Sequence, residues 1–266
     1  MIDSHCHLDL DPFRRDWETV IQRAKSQGLT RLLIPGTHPE NSSWQRHISS
    51  AASSIIPVDI AVGVHPYFIT DNLQPSDILR FLEDTVSLDG VNPVAIGEIG
   101  LDGHIETSIK RQKDCLNVQV QFAQEQQLPI ILHHRKTHHL LFEAFKQNRF
   151  DEGGVIHAFS GSKEVAQTYI DNGFYLGFGG TITYARATKT KETLDYVFET
   201  HPDRILIETD APDMPIEGRQ GQRNSPEYLG DVIAAIAEQT GATREAIDKL
   251  SSDNYHRCFG LSAKTP

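Results

Sequence analysis

Short β-branched runs alternate with longer amphipathic stretches along the whole chain, the rhythm of βα units around a parallel sheet. Eight runs have strand character: residues 1–7, 30–35, 58–64, 93–98, 129–133, 154–157, 174–178 and 204–209. Arg31-Leu32-Leu33-Ile34 and Arg204-Ile205-Leu206-Ile207 are nearly continuous in apolar residues, as befits parallel strands covered on both faces. After the first run, Trp17, Val20, Ile21 and Ala24 recur at helical spacing. Asp11 is placed to cap, Pro12 suits a first turn and Gly28 ends the segment, which predicts a helix over 12–27. Two more helices are predicted over about 226–240 and 243–259.

Eight strand-bearing units without a linker-like break predict one (β/α)8 TIM barrel with additional C-terminal helices, a single domain over 1–266. A doubly wound open sheet meets the same element count, because alternation alone does not establish closure. With 38% hydrophobic and 23% charged residues, the chain can bury one sizeable core, which excludes disorder, collagen and coiled coil. Cys6, Cys115 and Cys258 are scattered and form no C-x-x-C pair, so a reducing, cytoplasmic setting is expected. No apolar run reaches the ~18 to 20 residues of a membrane span, and the first residues lack a signal peptide's basic and apolar regions. A soluble protein without a membrane partner is expected, as a monomer. The net charge of -11 excludes a nucleic-acid binder that relies on a global basic field, though not an enzyme that meets phosphates locally.

Thirteen histidines change the picture more than the charge does. Chemistry in a barrel gathers at the C-terminal ends of the strands. There the first run ends in His5-Cys6-His7, the fourth in Glu98, the fifth in His133, the sixth in His157, and Asp210 follows the eighth. Period-2 geometry turns His5 and His7 to one face. Closure sets Asp210 beside them, so these three suit one ion and His133 with His157 a second, with Glu98 bridging. Histidine and carboxylate donors without thiolate suit Zn²⁺, Mn²⁺ or Fe²⁺. Two divalent ions per chain are expected, zinc first, with Mg²⁺ or Mn²⁺ as alternatives.

Glu208 reads as a buried acceptor or a partner for a basic side chain. His65, in Gly63-Val64-His65-Pro66, reads as a substrate contact or a structural rim residue, and His134, His138 and His139 as mouth or surface residues. The other histidines read as surface, and no lysine ends the fourth run to serve as a carbamylated bridge.

Asp3-Ser4-His5-Cys6-His7, Gly97-Glu98-Ile99-Gly100-Leu101-Asp102, His157-Ala158-Phe159-Ser160-Gly161 and Glu208-Thr209-Asp210-Ala211-Pro212 resemble the signatures of the TatD-type metal-dependent hydrolases, a deoxyribonuclease family. The resemblance spans the chain. Gly180-Thr181-Ile182-Thr183-Tyr184 and Ala211-Pro212-Asp213-Met214-Pro215 make it most similar to the YjjV-like branch. It implies a TIM barrel with two divalent metals, 3′-to-5′ exonuclease activity as in some members, and the ligands His5, His7, Glu98, His133, His157 and Asp210. Arg223-Asn224 resembles the family's Arg-Asn pair after the last strand, which implies substrate contact. Tyr67 and Ser225 depart from the family pattern, which bears on substrate more than on metal.

The expected activity is a phosphodiesterase or deoxyribonuclease that releases nucleotides from DNA ends, a metal-bound hydroxide attacking phosphorus. Glu98 and Asp210 are its catalytic carboxylates, Asp210 orienting or deprotonating the water. Three acid-free stretches follow strands: 126–142 with Arg135 and Lys136, 181–191 with Arg186, Lys189 and Lys191, and 218–226 with Arg219 and Arg223. They read as a phosphate grip or as solvated loops. Phe159, Tyr67 and Tyr184 read as platforms for a terminal base or as packed rim residues. The same donor set serves a two-metal deacylase or lactonase acting on a carbonyl, and a catalytically silent metal-binding protein is a third reading.

Overall fold

Parallel pairing joins the eight strands in chain order: β1 (Ile2–Asp3), β2 (Arg31–Ile34), β3 (Val58–Val62), β4 (Ala95–Asp102), β5 (Ile130–Arg135), β6 (Gly154–Ile156), β7 (Phe174–Phe178) and β8 (Ile205–Ile207). The structure is a computed structural model describing residues 1–261. Residues 262–266 of the domain expected over 1–266 lie outside the described residues. The helices are α1 (Trp17–Ser26), α2 (Ser42–Ala52), α3 (Pro75–Val86), α4 (Ile109–Gln126), α5 (His138–Asn148), α6 (Lys163–Asp171), α7 (Thr188–Thr200), α8 (Leu229–Thr240) and α9 (Arg244–Cys258). The last strand returns to the first: Ser4 N–H donates to the Ile207 carbonyl at 3.1 Å, Asp210 N–H to His5 at 2.9 Å and His7 N–H to Ala211 at 2.8 Å. These bonds make the sheet a (β/α)8 barrel and set aside the open sheet.

The near-continuous apolar runs have two destinations. Ile2, Leu33, Ala61, Ala95, Ile131, Val155, Tyr175 and Leu206, one from each strand, fill a layer inside the barrel, sealed by Tyr255 and Cys258 of α9 and by Phe259 just after it. Their neighbours Leu32, Ile34, Val62, Ile96, Ile130, Leu132, Ile156 and Leu176 belong to the larger core under the helices. No helix among the described residues is long and apolar enough to cross a membrane.

Several boundaries differ from expectation, each for a local reason. The first strand ends at Asp3, because the Asp3 carboxylate, not a ladder partner, takes the His5 N–H at 3.3 Å. The fourth runs on to Asp102 and the fifth to Arg135, so Glu98 and His133 lie inside strands and not at their ends. The β4–β5 register shifts between Ile96 and Ile99, a bulge that turns Glu98 out of regular pairing. The helix expected over 12–27 is a 3-10 turn, Asp11–Phe13, followed by α1. Asp16 precedes α1 but does not cap it, since its carboxylate is held by Arg223. At the C-terminal end, the helix expected from 226 starts as a 3-10 turn, Pro226–Tyr228, ahead of α8.

Buried glutamines complete the backbone where the ladders give out. Gln119 of α4 accepts from Val64 N–H at 2.7 Å and donates to its carbonyl at 3.1 Å. Gln112 does the same for Asp102 at 2.8 and 3.0 Å, while Gln45 of α2 donates to the carbonyls of Ile34 and Ala61. Helices thereby grip the strand ends from which the functional residues emerge.

Beside Glu98 the strands crowd. Glu98 N–H donates to the Gly36 carbonyl at 2.7 Å and Gly36 N–H to Gly97 at 2.8 Å, while a Cβ on Gly97 would stand 2.6 Å from the Ile131 Cβ. Gly97→Ala is expected to cost about 1–3 kcal/mol of stability through overpacking. The measurement is the urea midpoint, which should fall at unchanged m-value; an unaltered midpoint would show that Ile131 yields without cost.

Candidate metal centre

The bulge in β4 sends the Glu98 carboxylate into the barrel mouth, where it meets five imidazoles. Its Oε2 lies 3.2 Å from Nε2 of both His5 and His7. These two nitrogens are 3.1 Å apart, and Asp210 Oδ1 lies 3.6 and 3.7 Å from them. The other oxygen, Oε1, is 2.8 Å from His157 Nε2, 3.1 Å from His133 Nδ1 and 3.4 Å from His65 Nε2. His133 Nδ1 and His157 Nε2 are 3.2 Å apart. Six sequence-predicted donors thus converge as two groups that share Glu98, one oxygen facing each.

This arrangement fits divalent cations better than it fits itself. Both Glu98 oxygens are buried without a properly directed hydrogen bond, as are Nδ1 of His5, His7 and His157. Nitrogens with lone pairs, brought within about 3 Å of one another and of carboxylate oxygens, have a cation as their natural common partner. Burial opposes charge on Glu98, but the neighbouring His157, His65 and His5 outweigh it and hold the carboxyl well below its ordinary range. His157 is pushed up to about 10 because the Glu98 carboxylate outweighs its burial, whereas burial keeps His5 well below the usual imidazole value. Asp210 is raised, chiefly by burial.

A ring of further carboxylates orients these groups. Asp102 Oδ2 lies 3.2 Å from His133 Nε2, which leaves Nδ1 to face Glu98. Asp3 accepts from Thr209 N–H at 3.0 Å and the Thr209 hydroxyl at 2.6 Å, pinning the end of β1 to the chain just before Asp210. Burial lifts the Asp3 carboxyl to about 7. Glu208, expected as a buried acceptor, takes the Ala158 N–H and sits 3.8 Å from His157 Nδ1. It fits only because Gly177 opposite has no side chain, since a Cβ there would meet Glu208 Oε2 at 2.3 Å. Burial raises Glu208 to about 8. Sequence reasoning gave Asp3 and Asp102 no role, although strand alternation from Glu98 through Gly100 to Asp102 points all three to one face.

The substrate candidates separate. His65 joins the centre and lines a cavity of about 410 Å³ with Tyr67, Phe68 and Asp213, its Nδ1 accepting from Tyr67 N–H at 3.1 Å. Tyr67 is 69% exposed at the rim. Arg135 ends β5 in solvent. Arg223 is committed elsewhere: it grips Asp16 at 2.9 and 2.7 Å and covers the Phe13 ring at 4.5 Å. Asn224 is buried, its amide donating to the carbonyls of Thr209 and Asp213 at 2.8 Å, so it shapes the loop after β8. Phe159 is buried against Phe178, the packed alternative. His134 and His138 pack together near Tyr169, away from the cavity; burial holds His134 down to about 2.

Removing the carboxylate that aligns His133 tests this support. Asp102→Ala is expected to weaken divalent-metal binding about 10–100-fold, read by competition with a chromogenic chelator, and unchanged affinity would remove Asp102 from the machinery.

The model of the family described as TatD related DNase matches residues 2–260. The chain is 36% identical over 262 residues to the metal-dependent hydrolase YjjV of Escherichia coli, covering 98% of each protein. The crystal structure of YjjV superposes with a TM-score of 0.90, again over 98% of each chain, at 34% identity. A relative from a Rahnella species, named a 3′-5′ ssDNA/RNA exonuclease TatD, is 29% identical over 271 residues, 99% of this chain and all of that protein. With two histidine groups about a shared carboxylate at the mouth of a barrel matched over its length, the chain belongs to the TatD-related family of metal-dependent hydrolases.

Proposed function

We propose that the protein is a binuclear phosphodiesterase that removes nucleotides from the 3′ ends of DNA. One observation carries the binuclear reading: the two Glu98 oxygens face different histidine groups, at 3.2 Å from His5 and His7 and at 2.8 and 3.1 Å from His157 and His133. The named exonuclease activity of the Rahnella relative supports the substrate class. His5, His7 and Asp210 with Glu98 Oε2 would hold one ion, and His133 and His157 with Glu98 Oε1 the other. A bound metal pair lowers the pKa of water and neutralises charge on phosphoryl oxygens, with zinc the first candidate and magnesium or manganese the alternatives.

The chain's own residues divide the remaining work. Asp210 stands beside the His5–His7 pair and lines the cavity, so its carboxylate is placed to orient or deprotonate the attacking water. His65 offers Nε2 on the cavity side of Glu98, in reach of a phosphate oxygen, while the exposed Tyr67 ring at the rim can stack a terminal base. Arg135 is free at the strand end for an approaching backbone. A single catalytic domain in a reducing cytoplasm agrees with three cysteines that are buried and unpaired.

Metal analysis of the purified protein should give close to two ions per chain. Glu98→Gln is expected to lower that content and to slow hydrolysis of a 3′-labelled single-stranded oligonucleotide by more than the roughly 10–100-fold that loss of an outer partner costs. Turnover of an acyl or lactone panel with no nucleotide release would replace this reading by carbonyl hydrolysis, and intact metal with no turnover of either class would make the protein a metal binder.

A further inference from the structure

A second cavity, of about 620 Å³, lies beside the metal centre, between the loop after β7, the start of α7 and Met214-Pro215. Arg186 and Lys189 reach its wall together with the hydroxyls of Ser160, Thr181 and Thr188, and no carboxylate lines it. Among the described residues neither cation has an acidic oxygen within 4.0 Å, which is notable in a chain of net charge -11. Arg186 is steadied without neutralisation: its guanidinium lies over the Tyr184 ring at 5.2 Å, and the Tyr184 hydroxyl donates to the Pro215 carbonyl at 2.7 Å. Its N–H donors therefore stay available for an anion. The opening residues of α7 line the same cavity, and no side chain caps that helix.

A narrow cleft lies between the two cavities. Asp210 lines the metal-centre cavity and also this cleft, whose other walls include Thr181, Thr190 and Met214; these three line the basic cavity as well. Met214 stands on the seam, 38% exposed. The remaining basic loops build nothing comparable: Arg223 is paired with Asp16, Arg219 lines a cavity that it shares with Glu217, Asp231 and Glu238, and Arg135 lines neither of the two cavities above.

We propose that Arg186 and Lys189 form a second anion subsite that holds the phosphate neighbouring the one at the metal centre. This rests on the phosphodiester reading above and deepens it, because the subsite makes the enzyme select chains with consecutive phosphates over isolated diesters. A polynucleotide reaching over Met214 presents a second charge to this cavity, and a substrate with one phosphate leaves it unfilled. Fixed cations inside a local pocket act on that charge within a Debye length of about 8–10 Å, where the acids elsewhere on the surface are screened.

The test compares kcat/KM for a single-stranded tetranucleotide with kcat/KM for bis(p-nitrophenyl) phosphate, in the metal-loaded wild type and the Arg186→Ala, Lys189→Ala double variant. The ratio of tetranucleotide to small diester is expected to fall about tenfold or more in the variant, and Arg186→Lys alone should retain most of it. An unchanged ratio, including equal losses on both substrates, overturns the subsite. If neither diester is hydrolysed, the functional reading fails separately, and equilibrium titration with thymidine 3′,5′-bisphosphate decides the subsite. Binding about tenfold weaker in the variant supports it, and equal binding refutes it.

Discussion

A carboxylate buried among five imidazoles at the mouth of a closed barrel is the constraint to which the rest of the structure answers. A charge withdrawn from water costs several kcal/mol unless its partners are fixed in place. Glu98 cannot supply those partners from its own strand. They come from β5 and from the segments that follow β1, β3 and β6, so the barrel must close before the charge is matched. The register break in β4, the glycine contact with Ile131 and the glutamines that cover loose strand ends all serve to present Glu98 at one depth and one angle.

Closure and chemistry are coupled most directly at the seam between β8 and β1. The bonds that complete the barrel run through Ser4, His5, His7, Asp210 and Ala211, three of which carry metal-type donors. Asp3 reinforces that seam through Thr209, so the spacing between the His5–His7 pair and Asp210 is set by the same hydrogen bonds that shut the sheet. Loss of either would loosen both.

Much of this was legible in the sequence, for reasons of period. Strand alternation placed His5 and His7 on one face, and the ordering of runs placed Asp210 beside them and His133 beside His157. Boundaries were less legible. Gly97 and Gly100 resemble the punctuation that ends a strand, whereas their role here is close packing within one, so β4 runs four residues beyond Glu98. Arg223 looked free because Asp16, its partner, lies 207 positions away, and no local pattern announces a pair of that separation. The basic loops looked equivalent for the same reason, since only tertiary contacts distinguish a guanidinium that is spent on a carboxylate from one propped on an aromatic ring.

The supporting carboxylates show how few degrees of freedom the centre retains. His5, His7 and His157 turn Nε2 toward Glu98, but His133 turns Nδ1. A ring presented through Nδ1 reaches less far from its backbone, and its outward nitrogen needs an acceptor to set the tautomer. Asp102 is that acceptor, and it stands on the same strand and the same face as Glu98. The segment that supplies the shared carboxylate therefore also aligns one of the imidazoles facing it. Any shift of β4 along its neighbour would displace both groups at once, which explains why helix α4 clasps the Asp102 backbone through Gln112 at the point where the ladder ends. Precision at the metal centre is thus built into β4 and its clamp before any ion or substrate arrives.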